Sequence, residues 1–140
     1  MKKSTILFTV SLFLLLSIQI LPQETADKNS SAKEACFKTL QQGLSSNNPG
    51  LQAVCTYMIG ELCYQRSVIT LMKMFHNSPS EKIRILVALS LYKIGDTHSI
   101  YAIKQAIKFD ESERVRRMCE IFYKAYIQEK NELPMDMAVK

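Results

Sequence analysis

The 140-residue chain has no tryptophan, only four glycines and four prolines, and just two histidines. Each scarcity closes off a kind of chemistry. Four scattered glycines build neither a Gly-rich phosphate loop nor a serine nucleophile elbow. His76 and His98 stand 22 residues apart, and no oriented nucleophile accompanies either, so neither is set up as a catalytic base. The absence of a C-x-x-C pair and of H-E-x-x-H argues against a metal centre. We therefore expect no catalytic residue, no metal ligand and no cofactor. Charge of one sign is not concentrated either. Eighteen Lys and Arg against thirteen Asp and Glu leave +5, which falls to +3 without Lys2 and Lys3. Nucleic acid draws clustered cations along one face, so nucleic acid is not expected as a partner.

Long hydrophobic runs are also rare. The only one, Ile6 to Leu21, carries no charge and follows Lys2 and Lys3. That order suits the basic and apolar regions of an export signal, and the run is short for a bilayer span of about 20 residues. Ala26 is the nearest plausible cleavage site, and no Cys follows closely enough for a lipidated end. Residues 1–26 read as a signal peptide and its cleavage region. The alternative is an uncleaved membrane anchor. The expectation is an exported protein of bacterial type, periplasmic or secreted, with no membrane contact beyond that segment. Residues 27–34 are polar and lack apolar periodicity, which suits a disordered linker. A flexible tail is expected over 130–140, where Pro134 blocks helix continuation. Between them, 35–129 is enough chain for one small domain.

What the domain does contain is a phrase recurring every 32 residues: Leu51-Gln52-x-x-Cys55, Ile83-Arg84-x-x-Val87, Val115-Arg116-x-x-Cys119. Each copy opens an apolar stretch of helical period. A fixed period of this size means stacked helical hairpins, each burying its apolar face against its neighbours. Six helices follow from periodicity and cap signals, starting near Ala35, Pro49, Arg66, Ser80, Thr97 and Ser112. Those after Pro49, Ser80 and Ser112 are copies of a first type. Those after Arg66 and Thr97 are copies of a second, which the helix from Ala35 resembles. The fold class is thus all-α, an α-solenoid of two full hairpins with a half-unit at each end.

The central copy, Ile83-Arg84-x-x-Val87-Ala88-x-Ser90-Leu91-x-x-Ile94-Gly95-Asp96, closely resembles the short HEAT repeat of the lyase HEAT-like type, in which V-R-x-x-A-A-x-A-L-G-x-I-G-D recurs. The resemblance covers residues 49–126. The copy from Leu51 is looser, because Gln52 replaces the arginine, and the copy from Val115 drifts at Phe122 and Tyr123. The Trp-Leu-Gly-Tyr and Thr-Pro-Leu-His patterns of other repeat families are missing.

The resemblance implies scaffolding and binding of a protein or peptide partner, whose identity it does not name; self-association is a further option. An enzyme or enzyme subunit related to lyase-type HEAT-like proteins is the alternative. In such stacks the second-type helices line the concave side, which here would carry Lys73, Tyr101, Lys104, Gln105 and Lys108, a basic face with one aromatic. The open side of the last helix, with Ile121, Phe122, Tyr123 and Ile127, is a second candidate contact. Arg84 and Arg116 are expected in an inter-repeat ladder, with Arg116 reaching toward Asp96. Two readings of the four cysteines stay open. Cys55 and Cys63 are about 12 Å apart along one helix, and Cys55 and Cys119 lie two repeats apart, so neither combination can bond. Either Cys36 pairs with Cys63, or all four are small apolar residues.

Overall fold

A computed structural model describes residues 23–132, and side chains from residue 30 onward. Most of the expected signal peptide, and the tail from residue 133, lie outside the described residues. The chain divides into two compact units, 1–36 and 37–140. Of the first, the described part is the opening stretch of helix α1, Gln23–Leu44. The second holds the rest of α1 and five more helices: α2 (Pro49–Glu61), α3 (Val68–Asn77, entered by a 3-10 turn over Gln65–Ser67), α4 (Glu81–Ile94), α5 (Thr97–Phe109) and α6 (Glu113–Glu132). No strand occurs among the described residues.

Two boundaries depart from expectation. The polar segment 27–34 is helical rather than a linker. It lacks apolar periodicity, but it also lacks proline and glycine, so nothing in it stops a solvated helix. Helix α6 likewise runs on to Glu132, into the expected tail, because the first breaker is Pro134.

The period is built into the helix starts. The N-caps of α2, α4 and α6 are Asn48, Ser80 and Ser112, spaced by 32. Asn48 Oδ1 accepts from the amides of Gly50 and Leu51, Ser80 Oγ from Ile83, and Ser112 Oγ from Val115. Each cap satisfies amides that the first helical turn leaves orphaned. Two residues earlier, Ser46, Ser78 and Asp110 each accept the cap residue's own N–H, at 3.1, 3.3 and 2.8 Å. Helix α5 starts on Asp96, which accepts from the Ser99 amide at 2.7 Å. Gly95 ends α4 with φ +67, the left-handed conformation glycine adopts freely. The equivalent residue after α2 is Cys63, at φ +50.

Within residues 37–132 the helices form two layers. First-type helices pack α2 on α4 and α4 on α6; second-type α3 lies beside α5, and α4 also packs on both of these. The closing part of α1 joins α3, with Gln41 Nε2 donating to Thr70 Oγ1 and Phe37 meeting the Tyr64 ring edge-on. Between the layers lie Ile59, Leu71, Val87, Leu91, Ile103, Val115 and Cys119, all fully buried. Helices α2 and α4 touch at Gly60, where an added Cβ would stand 2.8 Å from the Ser90 Cα. The Ser90 hydroxyl reaches the Thr56 carbonyl at 2.8 Å across that contact.

Candidate functional site

The recurring arginines are the most tightly determined polar groups. Arg84 is buried at the start of α4, and Nη1 donates to the Ser78 carbonyl, the C-cap of α3, at 2.9 Å. Nε and Nη2 form a fork on the two carboxylate oxygens of Asp110, both at 3.0 Å. Asp110 is the C-cap of α5, so the fork ties one hairpin to the loop that closes the next. Arg116 repeats the first half of this pattern, donating Nη1 to the Asp110 carbonyl at 2.6 Å. Gln52 holds the same position in α2 and donates to the Leu44 carbonyl at 3.0 Å. The ladder expected for Arg84 and Arg116 is therefore present, but its acidic member is different. Asp96 caps α5 instead of meeting Arg116, because its carboxylate is committed to the Ser99 amide. Burial works against ionisation of Asp96, yet the Ser99 hydrogen bonds and neighbouring His98 outweigh it, holding the carboxyl below its ordinary 3.8.

Beside this fork lies a groove of about 510 Å³ between α3 and α5. Tyr101, Gln105 and Phe109 line it from α5, one turn apart on a single stripe, and Met72, Phe75 and His76 line it from α3. Arg84, Asp110 and Glu111 close one end. Tyr101 is 60% exposed and Phe109 77%, the largest exposure among the big apolar side chains of the described residues.

Of the residues expected on this face, Tyr101 and Gln105 line the groove. Lys73, Lys104 and Lys108 are exposed but do not line it. Lys104 stands instead over the Tyr123 ring, at 5.9 Å. The lining is thus aromatic and apolar rather than basic. Phe109, Asp110 and Arg84 are additions. The stripe at 101, 105 and 109 signals Phe109, and the 32-residue match of Asp110 to Ser78 signals its place at a helix start.

The last helix divides its expected patch. Ile121 is 52% exposed, as is 38% of Ile127, while Phe122 is half-buried and stacked on Tyr92 with centroids 5.8 Å apart. A shallower depression of about 450 Å³ lies between Tyr123, Ile127 and Asn131.

All four cysteines are free thiols, so the Cys36–Cys63 bridge considered from the sequence is not formed. The Cys63 sulfur is turned to the Lys93 carbonyl, 3.5 Å away on α4. Burial, with the Asp110 charge adding to it, pushes the Cys119 thiol up to about 12, so it stays protonated and non-nucleophilic at neutral pH. No group of three or more His, Cys, Asp or Glu among the described residues is placed to hold a metal ion. No described helix is long and apolar enough to cross a membrane.

Antiparallel hairpins in two layers, with caps and an inter-hairpin guanidinium recurring at one period, define an α-solenoid repeat protein. Residues 37–121 match the family of HEAT repeats, and the chain belongs to that family. No curated protein matches the chain. HEAT repeats as a class serve protein interaction and scaffolding.

Proposed function

We propose that this chain is an exported, non-enzymatic interaction module that holds a short segment of a partner protein in the α3–α5 groove. The observation that carries this reading is the pair of largely exposed aromatics, Tyr101 and Phe109, on a single stripe beside a cleft of about 510 Å³. Aromatic side chains left open at a cleft supply anchoring area at low entropic cost, which is the composition of binding hot spots. The segment that fits carries an apolar anchor for the cleft and acidic residues toward Lys73, Lys104 and Lys108. The last helix supports a contact less well, because Phe122 is spent on Tyr92.

The competing enzymatic reading needs a nucleophile oriented beside a base, and His76 is the base that lines the groove. Asp110 is held by both arms of the Arg84 fork, and the Cys119 thiol is buried. Export rests on the basic and apolar run at the N-terminus. Cleavage near Ala26 would trim only the first turn of α1.

Peptides selected from a random library on the immobilised protein test the groove. Tyr101→Ala or Phe109→Ala should weaken their binding at least tenfold, and charge reversal at Lys73, Lys104 and Lys108 should weaken the acidic ones further. Ile127→Ala should leave them unchanged. Selected peptides indifferent to both aromatic substitutions would sink the proposal. N-terminal sequencing of the chain from cell envelope or medium tests export separately, with a mature end near residue 27 expected.

A further inference from the structure

We infer that the outer face of α2 is a self-association surface, on which α2 of a second copy packs antiparallel to form a closed dimer. The inference is independent of the groove. It begins from residues related by the 32-residue period. In α4 the stripe Ile83, Leu86, Ser90 and Ile94 faces the preceding first-type helix and is buried or half-buried. The same stripe in α2 is Leu51, Val54, Met58 and Leu62, and it is exposed, at 48%, 59%, 38% and 44%. Tyr57 beside it is 44% exposed. Among the described residues, this interior contact stripe has kept its apolar composition with no first-type helix packed on it.

The opposite end of the layer is built differently. The stripe with which each first-type helix meets the following one is Thr56 and Gly60 in α2, then Ala88 and Tyr92 in α4. In α6 it becomes Glu120 and Lys124, paired with each other at 2.7 Å. That end sets a charged pair into its outer face beside the exposed Ile121 and Ile127, a feature of terminal repeats that the α2 stripe lacks.

Three features select a second copy as the occupant. First, the only charged residue of α2 is Glu61, which is engaged by Lys93 at the edge of the stripe. Two such faces therefore meet without burying an unpaired charge. Second, the stripe is self-complementary under a two-fold axis near residues 56 and 57, with Leu51 against Leu62 and Val54 against Met58. Third, the area is adequate. Five side chains at these exposures offer on the order of 400 Å² per copy, within the range of functional patches. Two copies bury about 800 Å² of apolar surface, which at about 60% apolar content corresponds to an interface of roughly 1,300 Å², the standard size. A head-to-tail stack would set this apolar face on the Glu120–Lys124 pair, so association closes at the dimer instead of extending.

Sedimentation velocity over a hundredfold concentration range, on the full chain and on the chain from residue 27, tests this. A reversible monomer–dimer equilibrium is expected, with nothing larger. Val54→Arg places two guanidiniums beside the axis and should raise the dimerisation midpoint at least tenfold. Leu62→Arg should do the same, and both variants should keep the wild-type far-ultraviolet circular dichroism. Lys124→Glu, on the opposite end, should leave the midpoint where it was. A chain monomeric at every concentration overturns the inference, whether α2 is then open or covered by the chain's own preceding residues. So do open-ended oligomers, or association that ignores both arginine substitutions, which would place it elsewhere, such as on the apolar run of residues 6–21.

Discussion

Asp110 performs two tasks with one carboxylate, accepting the Ser112 amide of its own helix start and the guanidinium fork of Arg84. Arg84 and Asp110 side chains are only 5% and 9% exposed. Removing one member of such a pair strands a buried charge, which costs about 3 kcal/mol or more. The first repeat carries no charge at these two positions, since Gln52 and Ser78 stand 26 apart as Arg84 and Asp110 do, and Gln52 donates to the Leu44 carbonyl instead. Urea denaturation should therefore find Arg84→Gln destabilised by about 3 kcal/mol, with Asp110→Ser restoring much of the loss when added to it. A double variant no more stable than the single one would show that the pairing is incidental. Asp96 makes a second case. Its carboxyl is held below 3.8, so its ionised form contributes stability above that value, and the contribution is lost as pH falls through the lower folded-state value. Asn also caps helices well. Thermal melts of Asp96→Asn should lie below wild type at pH 7, with the gap closing only as pH falls below 3.8 through the lowered folded-state value.

Among the elements, α2 and α4 differ most in how they end and where they touch. Cys63 adopts at φ +50 the conformation that Gly95 supplies one period later. A side chain there costs about 1 kcal/mol, so Cys63→Gly should raise the unfolding midpoint by several degrees. Gly60 is the reverse case, because α4 backbone lies where its Cβ would be. Gly60→Ala has to push the two helices apart and should lose about 1–3 kcal/mol, despite the better helix propensity of alanine. The helices themselves were legible in the sequence, because caps at 48, 80 and 112 bracket apolar runs of helical period. The length of α1 was not. A solvated helix without an apolar stripe leaves no periodic trace, and only the absence of a breaker hinted at it. The acidic end of the ladder was equally hidden. Arg84 and Asp110 are 26 residues apart, and their meeting depends on how α4 and α5 stack.

At the scale of the whole molecule, the repeat period announced the stack but not its surfaces. The resemblance implied a basic concave face on the second-type helices, whereas of its residues only Tyr101 and Gln105 line the groove, with Phe109, Met72 and Phe75. The reason is that sequence reveals which face of a helix is polar, while a groove depends on the gap between two helices. Stability should be uneven along the stack. Helix α4 is packed on α2, α3, α5 and α6, whereas the closing turns of α6 expose every residue from Ile127 to Glu132. Native-state hydrogen exchange should find the slowest amides in α4 and the fastest toward Glu132. Uniform protection along the chain would count against a repeat stack held by neighbouring layers.

The Arg84–Asp110 fork also acts as a rule for lengthening. Its donor lies just after one first-type cap and its acceptor just before the next. A tandem copy of residues 81–112 inserted after Ser112 would therefore bring its own complete joint. The original Asp110 would receive the original Arg84, and the copied arginine would find the copied aspartate. One period thus specifies the polar joint but not the apolar contact, because a copied Ser90 would meet Tyr92 where α2 offers Gly60.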